Sequence, residues 1–583
     1  MTRTFLFYTN FERDPTMKIT RFFTSAIMML MMQSMLYATG GTMSGSGTTE
    51  DPFLIGDYAD LKVVGTTATY NLSAVYRLTA DIDASASSTE NSDSGFVPIG
   101  DGTTNFSGAF YGAGHVIKNL HINHSGLDYT GLFGICNYGA VIDSVGVINA
   151  DMTGRDDIGC VVGSIGMGTI GGTISNCYAT GSVIGRNNVG GLVGDNEGTI
   201  SNCYATGLVR GLNEVGGFAG TSGGTISNCF ATGSVNGYAG LNTLGGIDPG
   251  GYVGGFVGSS AGTISNCYAT GTVTADTSMS VGGFVGYSGF WVYTGHGIMS
   301  NCRATGLVRG YNSVGGFVGT NVARTANCYS TGTVIGVFSN SNVLANSGWS
   351  VGGFVGVNSA PIMNCYAIGS ATGSTGVGGF AGYSADSIVN CYAIGSAIGD
   401  NWIGGIVGYL QSKGTISDCY WDQQASGTVA GYGMNDSGGV YIGSGLTTAQ
   451  MKQSSWFSGW DFTTVWSINS NINNGYPYLA LNRATSVERA RSVSLKTYTL
   501  FQNYPDPFNP TTTIQFSVEK DGPAVVKVFD LLGREVSTLY NSIARAGKVY
   551  QFTFNGARYS SGVFFYTIES NNQRIVKKML MLK

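Results

Sequence analysis

The sequence predicts an all-β protein: a parallel β-solenoid built from coils of about 26 residues, followed by a small C-terminal β-sandwich. Three observations predict it. The segment Val189-Gly-Gly-Leu-Val-Gly194 recurs from Val215, Val253, Val281, Val314, Val351, Val377 and Ile403, at successive spacings of 26, 38, 28, 33, 37, 26 and 26 residues. A second segment, Gly198 to Gly207, follows each time with small changes, and turn-forming Gly, Asn, Thr and Ser separate the short apolar runs. Composition agrees, with 92 glycines and 11% charged residues against a usual share of about 25%. A hydrophobic content of 43% can build a large core, and a net charge of −5 leaves no basic footprint for nucleic acid.

Residues 1–40 read as an export signal. Met17 is the better start: Lys18 and Arg21 supply the positive end, Phe22 to Leu36 a 15-residue apolar run, and Ala38-Thr39-Gly40 small residues for cleavage. That run is shorter than the roughly 20 residues of a membrane span, and no later stretch in the sequence is longer and apolar. Residues 41–128 are expected to hold the N-terminal cap and first coils. Asp81, Asp83 and Asp101 fall near one another there and could offer oxygen ligands to a structural calcium. Their spacing is no calcium-loop signature, so the expectation is ordinary corner residues and no cofactor. His121 and His124, three apart on a predicted strand, point to opposite faces and do not form a metal pair.

Residues 129–420 hold the repeats. Each unit contains three strand-like pieces, around Gly-Gly-Phe-Val, Cys-Tyr-Ala and Ser-Val, and none has the helical period. A propeller blade needs about 40–45 residues, so a 26-residue unit is one solenoid coil. Cys177, Cys203, Cys229, Cys267, Cys302, Cys328, Cys365, Cys391 and Cys419 share one position, which Leu120 and Val145 fill in earlier degenerate units. A position that accepts Cys, Val or Leu faces inward, and alternation then sends Ala inward and Tyr and Thr outward. Parallel side chains one coil apart sit at about 4.8 Å, beyond the usual Cβ separation of a disulfide, so buried thiols are expected. The Asn preceding each of the first eight of these cysteines suits a left-handed corner and a ladder of amides. The paired glycines are expected at corners of positive φ.

Two insertions, 236–252 and 336–350, fall at the same corner three coils apart, which predicts bases about 14 Å from each other. They carry Tyr238, Tyr252, Phe338 and Trp349, and a third insertion, 287–299, carries Trp291 and Tyr293. These six aromatics are the candidate binding residues for a glycan or a cell-surface partner; the alternative is that their rings pack back on the coils. The acids Asp195, Glu197 and Glu214 read as scattered among Arg210 and Arg309, with no nucleophile–base pair, so no enzyme is expected. Gly166-Met-Gly168-Thr-Ile-Gly171 matches a dinucleotide fingerprint by letter, but no βαβ unit surrounds it.

Residues 421–480 are expected to close the solenoid end, with Thr447 or Thr448 capping a short helix before Met451, and 481–497 reads as an exposed linker. In 498–583, strands near 512–518, 524–530, 549–554 and 562–569 make the β-sandwich. The repeats, with Tyr76 to Asp83, Phe96 to Gly100 and Tyr420-Trp-Asp422, resemble the GLUG-motif repeats of bacterial surface proteins over roughly residues 50–480. The C-terminal region resembles the type A sorting domain of the type IX secretion system. The resemblance rests on Tyr504, Pro505, Pro507, Phe508, Asn509 and Pro510, on Gly533, Gly562, Lys577 and Lys578, and on the terminal Lys583. Asp506 departs from the usual Asn. This resemblance implies passage across the outer membrane with the secretion machinery as partner. The expectation is thus a non-catalytic secreted cell-surface protein, adhesin-like or structural; the alternative is a secreted polysaccharide-binding or polysaccharide-active β-helix protein.

Overall fold

A coil is made of five short strands where the sequence suggests three. In one coil they are Asn187–Gly190, Val193–Asn196, Thr199–Ser201, Tyr204–Ala205 and Leu208–Gly211. The Gly-Gly pair is therefore a corner between two strands, not the centre of one. The computed structural model describes residues 42–166, 171–241, 247–248, 250–289, 297–337, 349–480, 499–500, 503, 510–518, 520–545, 549–571 and 573–581. The expected export signal, the linker 481–497, Tyr504 to Asn509 and Lys583 lie outside these, as do four residues of the Gly166–Gly171 stretch.

Contacts group the chain into two units. The first runs to Thr225 and takes in Phe230–Gly262 and Thr270–Ser278; the second comprises Ile226–Cys229, Thr263–Ala269 and the chain from Met279. In the first unit Phe53–Ile55, Val75–Leu78, Ala109–Tyr111, Val141–Asp143, Thr173–Ser175 and Thr199–Ser201 pair in parallel, each with the next. The register Thr173↔Thr199 and Tyr178↔Tyr204 confirms the 26-residue coil. In the second unit Val314, Val351, Val377 and Ile403 stand in one parallel column. The chain thus folds as a parallel β-solenoid. A six-residue helix, Tyr58–Val63, capped by the Asp57 carboxylate on the Asp60 N–H, escapes the sequence reading because it is shorter than two helical turns.

The Asn positions behave as expected. Asn176, Asn202, Asn228, Asn266, Asn301, Asn327, Asn364 and Asn390 all have φ between 53° and 58°. Their amides join along the stack, Asn202 to Asn176 at 3.5 Å and Asn364 to Asn327 at 3.3 Å. A second amide ladder, buried and unexpected, links Asn321 to Asn358 at 2.9 Å and Asn358 to Ser384 at 3.2 Å. The paired glycines require a correction. Gly190, Gly191, Gly216 and Gly217 are not among the positive-φ residues. They are needed for close approach: a Cβ at Gly190 would stand 1.9 Å from the Val193 carbonyl oxygen, and one at Gly216 1.9 Å from that of Ala219.

All eleven cysteines are buried and carry free thiols. The sulfurs accept backbone hydrogen bonds along the stack, as Cys203 Sγ does from the Cys177 N–H at 3.3 Å. Burial pushes the Cys160 thiol up to about 12. Beside them, the Phe of each Val-Gly-Gly-Phe segment forms a buried stack, with Phe317–Phe354 and Phe354–Phe380 centroids 4.8 Å apart.

The C-terminal end differs from the expected cap. One further coil follows Tyr420: Tyr432–Asn435 pairs with Val407–Leu410, and Val440–Leu446 with Thr415–Asp422. Residues 447–480 then lie along the outward tyrosine column instead of over the end. Trp460, Trp466, Phe457 and Leu479 bury against Tyr366, Tyr392 and Tyr420. Tyr392 donates to the Pro477 carbonyl at 2.5 Å, and Tyr476 to the Asp422 carboxylate at 2.7 Å. The expected short helix is a 3-10 turn, Gln450–Lys452; Thr447 Oγ1 accepts from the Gln450 N–H at 3.3 Å while Gln450 Oε1 accepts from the Thr447 N–H at 2.9 Å.

The last domain is a sandwich of Thr499–Leu500, Thr511–Ser517 and Val549–Asn555 on one sheet, and Gly522–Phe529, Glu535–Ala544, Gly562–Ser570 and Gln573–Met581 on the other. Glu535–Ala544 and Gln573–Met581 are strands the sequence reading did not place. Gly533 sits in a turn at φ 76°, Gly562 opens a strand, and Lys577 and Lys578 lie in the last one.

Candidate functional site

The loop aromatics divide. Tyr238 packs back on its coil: its hydroxyl donates to the Gly185 carbonyl at 2.6 Å, and the Arg210 guanidinium lies 5.3 Å from its ring centroid. It is no exposed platform. Tyr252 is half-buried in the strand Tyr252–Gly254. Trp291, Tyr293 and Phe338 lie outside the described residues. Trp349, at the foot of the second insertion, is 41% exposed.

Trp349 does not stand alone. Trp402, two coils on and 39% exposed, meets it edge-to-face, with centroids 6.4 Å apart at 72°. Tyr409 lies 5.2 Å from Trp402, and Tyr383 stacks on Tyr409 at 5.3 Å and 5°. The Tyr409 hydroxyl donates to the Asp436 carboxylate at 2.7 Å, a bond that raises the phenol's pKa. The local sequence explains how two rings two coils apart can touch. In register, Ser350, Gly376 and Trp402 occupy one position. All three have positive φ, at 55°, 66° and 52°. Trp349 stands one residue over, in register with Thr375 and Asn401, so the two rings meet on a diagonal, and Gly376 puts no side chain next to Trp402 in its own column.

Sequence reasoning missed Trp402, Tyr409 and Tyr383, though a signal was present. The same coil position holds Asn188, Glu214 and Ser313, also at positive φ, and it carries the aromatics Tyr129 and Tyr252 as well as Trp402, so a ring at that corner was the signal. Tyr383 and Tyr409 likewise share one register position on adjacent coils.

The first unit holds carboxylates of altered acidity. Burial pushes Asp157 up to about 7, opposed by an Asn188 amide donating at 2.7 Å and reinforced by Asp195 and Asp156. Burial with the Asp195 charge takes Glu197 to about 7, and burial raises Asp195 itself although Thr221 donates to it at 2.6 Å. Asp157 and Glu197 are thus acids that can hold a proton near neutral pH. The early carboxylates are engaged within the protein: Asp81 accepts from Lys118 Nζ at 2.9 Å, Asp83 from the Asn119 amide at 3.1 Å, and Asp101 from the Thr103 and Thr104 N–H groups at 2.7 and 2.8 Å. Among the described residues no three His, Cys, Asp or Glu side chains gather as a metal site, and no helix is long and apolar enough to cross a membrane.

Comparison with known proteins identifies two kinds of module. Residues 502–582 match the family described as the secretion system C-terminal sorting domain. Residues 185–209, 211–236, 249–274 and 310–335 match the GLUG motif. Over 159 residues, 26% of this chain, the sequence is 44% identical to Halomucin of Haloquadratum walsbyi (strain DSM 16790 / HBSQ001), and the match spans 2% of that protein's length. Among solved structures, the chain is similar to a putative immunoglobulin A1 protease from Bacteroides ovatus, at 28% identity and a TM-score of 0.37, over 46% of this chain and 79% of that one.

Proposed function

From a chain that carries GLUG repeats and a type IX sorting domain, and so is exported to the cell surface or extracellular space, we propose a non-catalytic, adhesin-like surface protein. Its solenoid presents the Trp349–Trp402 cluster to an external glycan. One observation carries this reading: two tryptophans, each about two-fifths exposed, meet on the outside of a solenoid in which the other large rings among the described residues are mostly buried or stacked. Exposed indoles are costly to leave in water, since burying such a ring is worth several kcal/mol, on the order of 25 cal/mol per Å². Rings held together on a rigid scaffold lose little entropy when a ligand covers them. The reading requires no cofactor. It is tested by incubating the full chain with immobilised polysaccharides and with whole cells; retention that falls at least tenfold in Trp349→Ala supports it, and equal retention by the variant rejects the site.

A second reading rests on the carboxylates. Asp157 and Glu197 stay protonated to about pH 7, the state a general acid requires in glycoside cleavage. Release of reducing ends from a polysaccharide, lost in Glu197→Gln, would establish a secreted polysaccharide-active enzyme in place of the first reading.

A further inference from the structure

Resting on that glycan-binding reading, we infer that the Trp349–Trp402 platform recognises uncharged pyranose units and rejects anionic polysaccharides. The argument starts from ring geometry. Two indoles at 72° offer a sugar one flat face and one edge rising beside it. An aromatic face matches the C–H face of a pyranose ring, and the neighbouring edge sets the direction in which the ring lies. Tyr409, tilted 45° to Trp402, extends the apolar floor, and its stack with Tyr383 fixes it in place.

Charge then decides which sugars fit. From Trp349 to Ser412 the sequence holds two charged side chains, Asp386 and Asp400, both acids. Asp400 is exposed and stands two residues before Trp402. Asp436, on the following coil, touches the cluster directly through the Tyr409 hydroxyl at 2.7 Å. The nearest cations along the chain are Arg324, in the strand Arg324–Ala326 of the coil before Trp349, whose guanidinium reaches Met363 Sδ at 3.5 Å, and Lys413 in the turn after Leu410. Carboxylates accept hydrogen bonds from sugar hydroxyls, so these acids suit a neutral glycan. A uronate or sulfate placed on the same rings would face the like charge of Asp400 and Asp436, a cost that falls with salt. Anion-binding sites are built from Arg and Lys, whereas the charged group seen to contact this ring cluster is the Asp436 carboxylate.

The test uses the full chain and defined polymers. Affinity electrophoresis in gels containing dextran, mannan, xylan or laminarin as neutral probes, and alginate or polygalacturonate as anionic ones, reads retardation directly. Retardation by at least one neutral polymer, reduced tenfold or more in Trp402→Ala and little changed from 50 to 500 mM salt, is the expected result. The double variant Asp400→Lys, Asp436→Lys should then gain retardation in alginate. Trp402-dependent retardation by alginate stronger than by any neutral polymer would overturn the inference while leaving the glycan-binding reading intact. No retardation by any of the six polymers would overturn both. Trp402→Asn, which keeps the left-handed backbone comfortable, serves as the folded control: it must lose binding without a drop in Tm, and retained binding would also overturn the assignment.

Discussion

Trp402 occupies a position whose backbone is left-handed in the coils beside it, and a bulky residue is a poor choice there. A left-handed L-residue costs about 1–2 kcal/mol unless it is Gly, Asn or Asp. Trp402→Asn should therefore raise stability by about 1 kcal/mol in chemical denaturation while abolishing glycan retention. A loss of stability would show that the ring earns its place by packing. Asp157 gives the second residue-scale prediction. The folded protein keeps its proton to about pH 7, whereas the unfolded chain releases it near the ordinary carboxylate value of 3.8. Between those values the folded state binds more protons, so its stability falls as pH rises. Asp157→Asn should thus match the parent at pH 3 and exceed it by about 2 kcal/mol at pH 8, after discounting the full shift for solvent screening. The repeat made the Asn and Cys columns legible, because each identity recurs at fixed spacing. Trp402 was not legible as a partner of Trp349, since 53 residues separate them and only the coil register brings them together.

At the scale of the coil, two kinds of turn residue do different work. A methyl group at Gly216 would collide with the Ala219 carbonyl oxygen at 1.9 Å, so Gly216→Ala should cost about 3 kcal/mol. Asn202, at φ 56°, meets a dihedral requirement instead: Asn202→Gly should change stability by only a few tenths of a kcal/mol, and Asn202→Ala should cost about 1. Urea titration of the three variants separates the two causes. The expectation of positive φ at the glycine pair failed because sequence shows where side chains are refused and not why. The thiol column gives a third check. Eleven buried free thiols should resist alkylation by iodoacetamide in the native protein and all react in denaturant, as mass spectrometry reads. Native labelling at the repeat cysteines would contradict their inward placement.

For the whole molecule, the solenoid and the sandwich are separate kinds of fold with separate tasks. Coils that pair only with their neighbours give stability that sums along the stack, so a coil can carry an insertion without disturbing distant ones. The sandwich has its own core, in which Ile514, Phe516, Val526, Val528, Tyr566 and Met579 are buried. Removing residues 502–582 should leave the coils folded and abolish export, read as loss of the protein from the cell surface and medium with retention in the periplasm.

The sequence by itself determined the coil length, the inward column of cysteines, the left-handed Asn corner and the export domain. Each of these is a local pattern repeated or concentrated in one stretch of chain. Tertiary structure alone decided which aromatics reach solvent: Tyr238 folds back under Arg210, whereas Trp349 and Trp402 meet two coils apart. It also decided that residues 447–480 lie along the tyrosine column and that Asp157, Asp195 and Glu197 share one electrostatic environment. The physical reason is the same in each case. Exposure and charge coupling depend on what stands a few ångströms away, and in a solenoid that neighbour is a full coil distant in sequence.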